Sequence, residues 1–220
     1  MGKVDGDRAR AVPAARLRRW SVAGTAAFGW GLLMLAVLHL LGLRNPLTDP
    51  ISSYAITEVG SSLLAAALLS LAIGTIAVLG MLRAGPAPVS RTTATLFGSS
   101  AVGLTMAAAF PTSTAVDSSA TSGMIHFYAS LVAFLSVPGI GFSMLDRLRG
   151  TAAGRQLANM LRWSLVCLAL FGLSYAFANW IEVELLTDLL PIGLVQRVVL
   201  GMDIALLIFL LQLARRPQTT

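Results

Sequence analysis

The sequence predicts an all-α, polytopic membrane protein: a bundle of six transmembrane helices with both termini in the cytoplasm. Three observations predict it. Of the 220 residues, 56% are hydrophobic and only 12% are charged, where a soluble domain carries about 25% charged residues. Six runs approach the roughly 20 mainly apolar residues that a helix needs to cross a bilayer. The basic residues also gather on alternate sides of those runs.

Residues 1–20 form a basic tail. The first span is expected at about 21–43. Its basic flank suits a secretory signal, but the apolar part is too long and no small-residue cleavage site follows, so the span is read as retained. The polar stretch RNPLTDPISSYAITEVG, residues 44–60, comes next. Pro46 and Pro50 stop the preceding helix, and Asp49 or Ser52 is expected to cap the following one. A turn between helices needs only a few residues. The extra length and polarity of this segment predict a cover over a pocket.

The second span is expected at about 59–82 and the third at about 93–110. In the third, Thr95, Ser99, Gly103 and Ala107 recur every four residues, a small-residue stripe of the kind that packs against a neighbouring membrane helix. The fourth, at about 124–145, contains SVPGIG, where Pro138 with Gly139 and Gly141 predicts a kink. The fifth is expected at about 161–181, the sixth at about 192–213, and residues 214–220 form a second tail. Together, residues 21–213 make the transmembrane domain. Strands are not expected, because barrel strands are short and alternating. No convincing internal repeat is seen, which weighs against an inverted-repeat transporter.

Orientation follows from the lysines and arginines. One set of alternate segments holds Lys3, Arg8, Arg10, Arg16, Arg18, Arg19, Arg83, Arg91, Arg147, Arg149, Arg155, Arg162, Arg215 and Arg216, leaving only Arg44 and Arg197 of the 16 basic residues for the other side. Asp49, Glu58, Asp117, Glu182, Glu184 and Asp188 lie on the arginine-poor side. The rich side is read as cytoplasmic and the membrane as the cell (plasma) membrane, its basic residues cushioning anionic lipid. The +6 net charge is therefore a topology signal, and nucleic acid is not an expected partner. The single cysteine, Cys167, excludes an intrachain disulfide and a multi-cysteine metal site.

Ionisable side chains at membrane depth are costly and therefore informative. Asp203 falls near the middle of the sixth span, and Gln196 lies two turns before it on the same face. Arg197 is close to the outer end of that span. His39 ends the first span and His126 begins the fourth. Asp49, Ser52, Ser53, Tyr54 and Glu58 sit at the same boundary, so a shared polar cluster is geometrically allowed. Each member also has a plain structural reading. Arg197 would snorkel or pair with Asp49, Glu58 or Asp203. His126 would be a capping or hydrogen-bonding residue near a helix start, His39 would bond to a neighbouring helix, and Asp203 would be a hydrogen-bonded structural acid.

The order of DPISSYAITEVG, AFP, IHFYASLVAFLSVP and GLVQRVVLGMDIALLIF relative to the spans resembles the bacterial and archaeal membrane family of domain of unknown function 998, over roughly residues 25–213. The resemblance implies a six-helix membrane bundle and puts Asp49, Ser52, Glu58, His126 and Arg197 at the family's polar motif positions. It brings no established reaction.

The leading functional expectation is a lipid- or isoprenoid-handling intramembrane enzyme or binding protein with an outward-facing polar pocket. In it Asp49, Glu58 or Asp203 serves as general acid with His126 as partner base. Arg197 holds a phosphate or carboxylate, and Ser52, Tyr54, Gln196 and His39 complete the binding set. One alternative is a small proton-coupled transporter or channel working through Asp203 and Glu58. The other is a non-catalytic membrane assembly subunit. No cofactor is expected, a haem or metal on His39 and His126 being the one option weighed. The expected partners are membrane lipid and a lipid-like or small-molecule ligand, and an oligomer is compatible with the sequence. No hydrolase elbow, phosphate loop or HExxH motif is present.

Overall fold

The computed structural model describes residues 2–42, 44–85, 89–112, 119–177 and 190–215, with residues 2–14 described by their backbone alone. Asp117, Glu182, Glu184 and Asp188 lie outside the described residues. Within them the chain is all-helical. Six long helices follow in order: α1 (Gly2–Leu40), α2 (Glu58–Ala84), α3 (Arg91–Ala109), α4 (Ala120–Leu145), α5 (Ala152–Ala176) and α6 (Ile192–Arg215). Two short 3-10 turns, Ile51–Ile56 and Asp146–Leu148, precede α2 and α5.

Four helix starts share one device. Thr57, Ser90, Ser119 and Thr151 each sit extended just before a helix, and each side-chain oxygen accepts an amide of the first turn. That satisfies one of the amides a helix start leaves free. Neither Asp49 nor Ser52 caps α2. Asp49 precedes the 3-10 turn and Ser52 lies within it, and Thr57 caps the helix instead. α1 closes at Gly42, whose φ of 63° is readily adopted by glycine.

The helix bounds depart from expectation in two places. α1 continues upstream through the basic tail to Gly2. α5 starts at Ala152, nine residues before the expected 161, because Thr151 caps it and Arg155 and Arg162 ride on its surface. Pro138 lies inside α4, which continues through it to Leu145.

Five of the helices are long and apolar enough to cross a membrane: α1 from Ala15, α2, α4 with its 3-10 extension, α5 and α6. α3 is not among them. At 19 residues it is about 28 Å long, and its threonines, serines and glycines dilute its apolar character. It packs against α2 and α4. Large apolar side chains lie on the surface, as suits a membrane-embedded protein: Trp30, Ile73, Val102, Leu135 and Trp163 are all exposed.

α2 and α6 form the interior. Each has 56% of its apolar window buried, against 22% for α5, and α6 touches α1, α2, α4 and α5. Between α3 and α4 the fit is backbone to backbone. A Cβ on Gly103 would stand 2.6 Å from the Ala129 carbonyl oxygen and 2.9 Å from the Ala133 nitrogen. Gly103 and Ala107 are buried as the four-residue stripe predicts, but Thr95 is exposed and Ser99 only half-buried. A four-residue step overshoots the 3.6-residue turn by about 40°, so the expected stripe drifts off the contact. The buried line runs instead through Thr93, Phe97, Ser100, Gly103 and Ala107.

Candidate functional site

One end of the bundle gathers the last turns of α1, α3 and α5 with the first turns of α2, α4 and α6. Residues 44–57 lie across it, over the start of α6. Three hydrogen bonds hold them there. The Leu194 amide donates to the Leu47 carbonyl at 2.9 Å. The Ile51 amide donates to Gln196 Oε1 at 2.7 Å. Arg197 Nη1 donates to the Asp49 carbonyl at 2.8 Å. Gly193 supplies the clearance, since a Cβ there would meet the Asp49 oxygen at 2.5 Å and the Leu47 oxygen at 2.7 Å.

Arg197 is the centre of this latch. Its Nε donates to His39 Nε2 at 2.8 Å, and its Nη1 also reaches the Gly193 carbonyl at 2.8 Å. Nη2 lies 3.4 Å from the Tyr54 hydroxyl, and the guanidinium carbon stands 5.7 Å from the Tyr54 ring centre, within cation–π range. Tyr54 is wholly buried. Its hydroxyl donates to the Arg44 carbonyl at 3.4 Å, and its ring centre is 5.4 Å from that of His39. The network fixes the His39 tautomer. Nε2 accepts from arginine, so Nδ1 carries the proton and donates to the Leu35 carbonyl at 2.7 Å. Both ring nitrogens of His39 are thus engaged.

The expected carboxylate partners of Arg197 are elsewhere. Asp49 offers its backbone carbonyl, while its carboxylate accepts from the Asn45 amide at 3.1 Å. Glu58 is exposed in the first turn of α2, where a negative charge suits the helix dipole. Asp203 lies about 10 Å further along α6, seven residues beyond Gln196. It is 4% exposed, and its Oδ1 has no hydrogen-bond partner among the described residues.

Beside the latch is a narrow, partly open cavity of about 50 Å³, room for a few water molecules at about 10–15 Å³ each. Leu35, Ile51, Leu64, Leu68, Leu104, Ala107, Ala133, Phe134 and Leu200 give it apolar walls, and Ser52, His126, Ser130 and Gln196 are its polar lining. No charged side chain lines it. His126 Nδ1 donates to the Ala107 carbonyl at 2.9 Å and the Phe110 carbonyl at 3.0 Å, closing the end of α3. Among the described residues, no group of three or more His, Cys, Asp or Glu side chains gathers as metal ligands would.

The nine sequence candidates therefore divide. His39, Tyr54 and Arg197 form the latch with the Asp49 backbone. Gln196 joins latch and cavity, and Ser52 and His126 line the cavity. Glu58 and Asp203 stand apart from both. Ser130 was missed, though it lies four residues after His126 on one helix face and that spacing marks it. Gly193 was missed because nothing local shows that a distant segment lies against it.

A family model described as protein of unknown function (DUF998) matches residues 22–213. No curated protein and no solved structure matches. With most of its length covered by that model, the chain belongs to the DUF998 family of membrane proteins.

Proposed function

We propose that this protein binds or handles a lipid-like molecule in a pocket at the extracytoplasmic end of a six-helix bundle. Both termini are cytoplasmic in this reading, α3 is the sixth span, and the membrane is the plasma membrane. The alternation of basic segments supports the orientation. The packing of α3 against two apolar helices supports the span count.

One observation carries the functional reading. A cavity with apolar walls and four polar side chains lies beside a segment pinned by Arg197. An apolar pocket with a few convergent polar groups is the usual form of a small-molecule site. Its lining has no carboxylate, which favours binding over acid catalysis by Asp49 or Glu58. Arg197 acts as a latch in this reading, not as a clamp on a head group.

The test is extraction of the purified protein followed by mass spectrometry of the released lipids. A defined lipid retained by wild type and depleted in Arg197→Ala is the expected result. A folded wild type that retains nothing beyond bulk membrane lipid refutes the reading.

Asp203 favours a second reading, proton-coupled transport. A buried acid with an unpartnered oxygen inside a membrane helix is a common feature of proton paths. Proton flux into liposomes that Asp203→Asn abolishes would support it, and wild-type liposomes that carry no flux would sink it.

A further inference from the structure

The hydrogen-bond inventory of the cavity names the chemistry of its ligand. This step rests on the pocket reading above. His126 has one fixed role. Its Nδ1 proton is shared between the Ala107 and Phe110 carbonyls, so Nε2 of the neutral ring is left as an acceptor. Gln196 is fixed in the opposite sense. An amide donor at Ile51 demands the carboxamide oxygen, which leaves the NH₂ group with two protons to give. Neither the His126 Nε2 nor the Gln196 NH₂ has a partner among the described residues. Both side chains line the same cavity, which therefore offers one fixed acceptor and one fixed donor, beside the adaptable hydroxyls of Ser52 and Ser130, and no charged side chain.

We infer that the cavity receives the hydroxyl group of a neutral lipid alcohol. A hydroxyl donates once and accepts through its lone pairs, so it satisfies His126 Nε2 and the Gln196 NH₂ together. A ketone or ether oxygen answers glutamine but has no proton to give histidine. A phosphate brings charge to a site with no charged side chain in its lining, and the neighbouring Arg197 already donates to His39, Asp49, Gly193 and Tyr54. Apart from the Ser52 and Ser130 hydroxyls, the remaining lining is apolar and suits the first carbons of a prenyl or alkyl chain.

The test uses wild-type protein in nanodiscs and three probes with one tail: geranylgeraniol, its methyl ether and its monophosphate. The alcohol is expected to bind about tenfold more tightly than either, the usual effect of one unmet buried hydrogen bond. A long-chain alkanol and a diacylglycerol, run beside them, separate a prenyl source of the hydroxyl from a glycerolipid one. His126→Asn is the matching variant. Its amide nitrogen stands where Nδ1 stood and keeps the α3 end closed, but it has no counterpart of Nε2. Loss of about tenfold in alcohol affinity with ether affinity unchanged supports the inference. Equal binding of the three probes overturns it and leaves an apolar pocket standing, and so does tighter binding of the phosphate. Failure of every probe to bind the folded protein overturns the inference and the pocket reading together.

Discussion

Replacing Arg197 by alanine tests the latch most directly. The change removes three hydrogen bonds of 2.8 Å, to His39, Asp49 and Gly193, and a longer one to Tyr54. A bond involving a charged group contributes about 1.5–3 kcal/mol. Two of the three share Nη1 and the residue is half-buried, so the sum is far from additive, and about 3 kcal/mol is the expected loss. In a chain of this size 1 kcal/mol moves the melting temperature by about 2–4 °C, so a fall of about 6–12 °C is expected in detergent. The same loss should free residues 44–57. With Cys167 replaced by serine, Ser52→Cys reports it through the rate of maleimide labelling. About 3 kcal/mol corresponds to roughly a hundredfold greater open population, and labelling limited by opening should accelerate by that factor. Arg197→Lys keeps the charge but not the planar fork, and should recover less than half of the effect. An alanine variant that melts and labels like its parent would show that Arg197 does not hold the segment.

Further changes have defined outcomes. His39→Phe removes the acceptor of Arg197 Nε and should lower stability by about 1.5 kcal/mol; combined with Arg197→Ala in a thermal-melt cycle, the two losses should fall short of their sum. Gly193→Ala puts a methyl group against the Asp49 and Leu47 carbonyls and should cost about 1–3 kcal/mol, with faster labelling at Ser52→Cys. Gly103→Leu forces α3 from α4 and should lower the melting temperature by at least as much as Gly193→Ala. Asp203→Leu breaks no hydrogen bond of Oδ1 and removes a buried polar oxygen, a group whose unmet desolvation costs about 1–3 kcal/mol; its melting temperature should hold or rise, and a large fall would disclose a structural partner.

The helices were legible because each rests on local facts. Apolar length sets the spans, and Ser or Thr before a helix sets its start, as Thr57, Ser90, Ser119 and Thr151 do. The site was legible only as an inventory. Sequence put His39, Tyr54 and Arg197 at one depth, and the structure joins them. It also offered Asp49 and Glu58 as partners of Arg197, since opposite charges are the first expectation at that depth. Backbone carbonyls took that place instead. No side-chain pattern announces a carbonyl acceptor, because every residue has one. Ser130 was within reach of a four-residue spacing from His126. Gly193 was not, because its role depends on residues 47–49 meeting it from 144 or more positions away.

The polarity of residues 44–57 has a physical cause that ties fold to site. Irregular backbone packed onto a bundle needs hydrogen-bond partners for its amides and carbonyls, and a helix start such as that of α6 has amides without internal partners. Here the two needs answer each other. The Leu194 amide takes the Leu47 carbonyl, Gln196 takes the Ile51 amide, and Arg197 takes the Asp49 carbonyl. One of these backbone contacts also belongs to the cavity, since Gln196 and Ile51 both line it. It follows that a Gln196 variant will shift stability and binding together, so its fall in binding alone says little about contact with ligand. A series of ligands that differ in one head-group atom leaves the protein untouched. It therefore separates recognition from folding where substitution of Gln196 cannot.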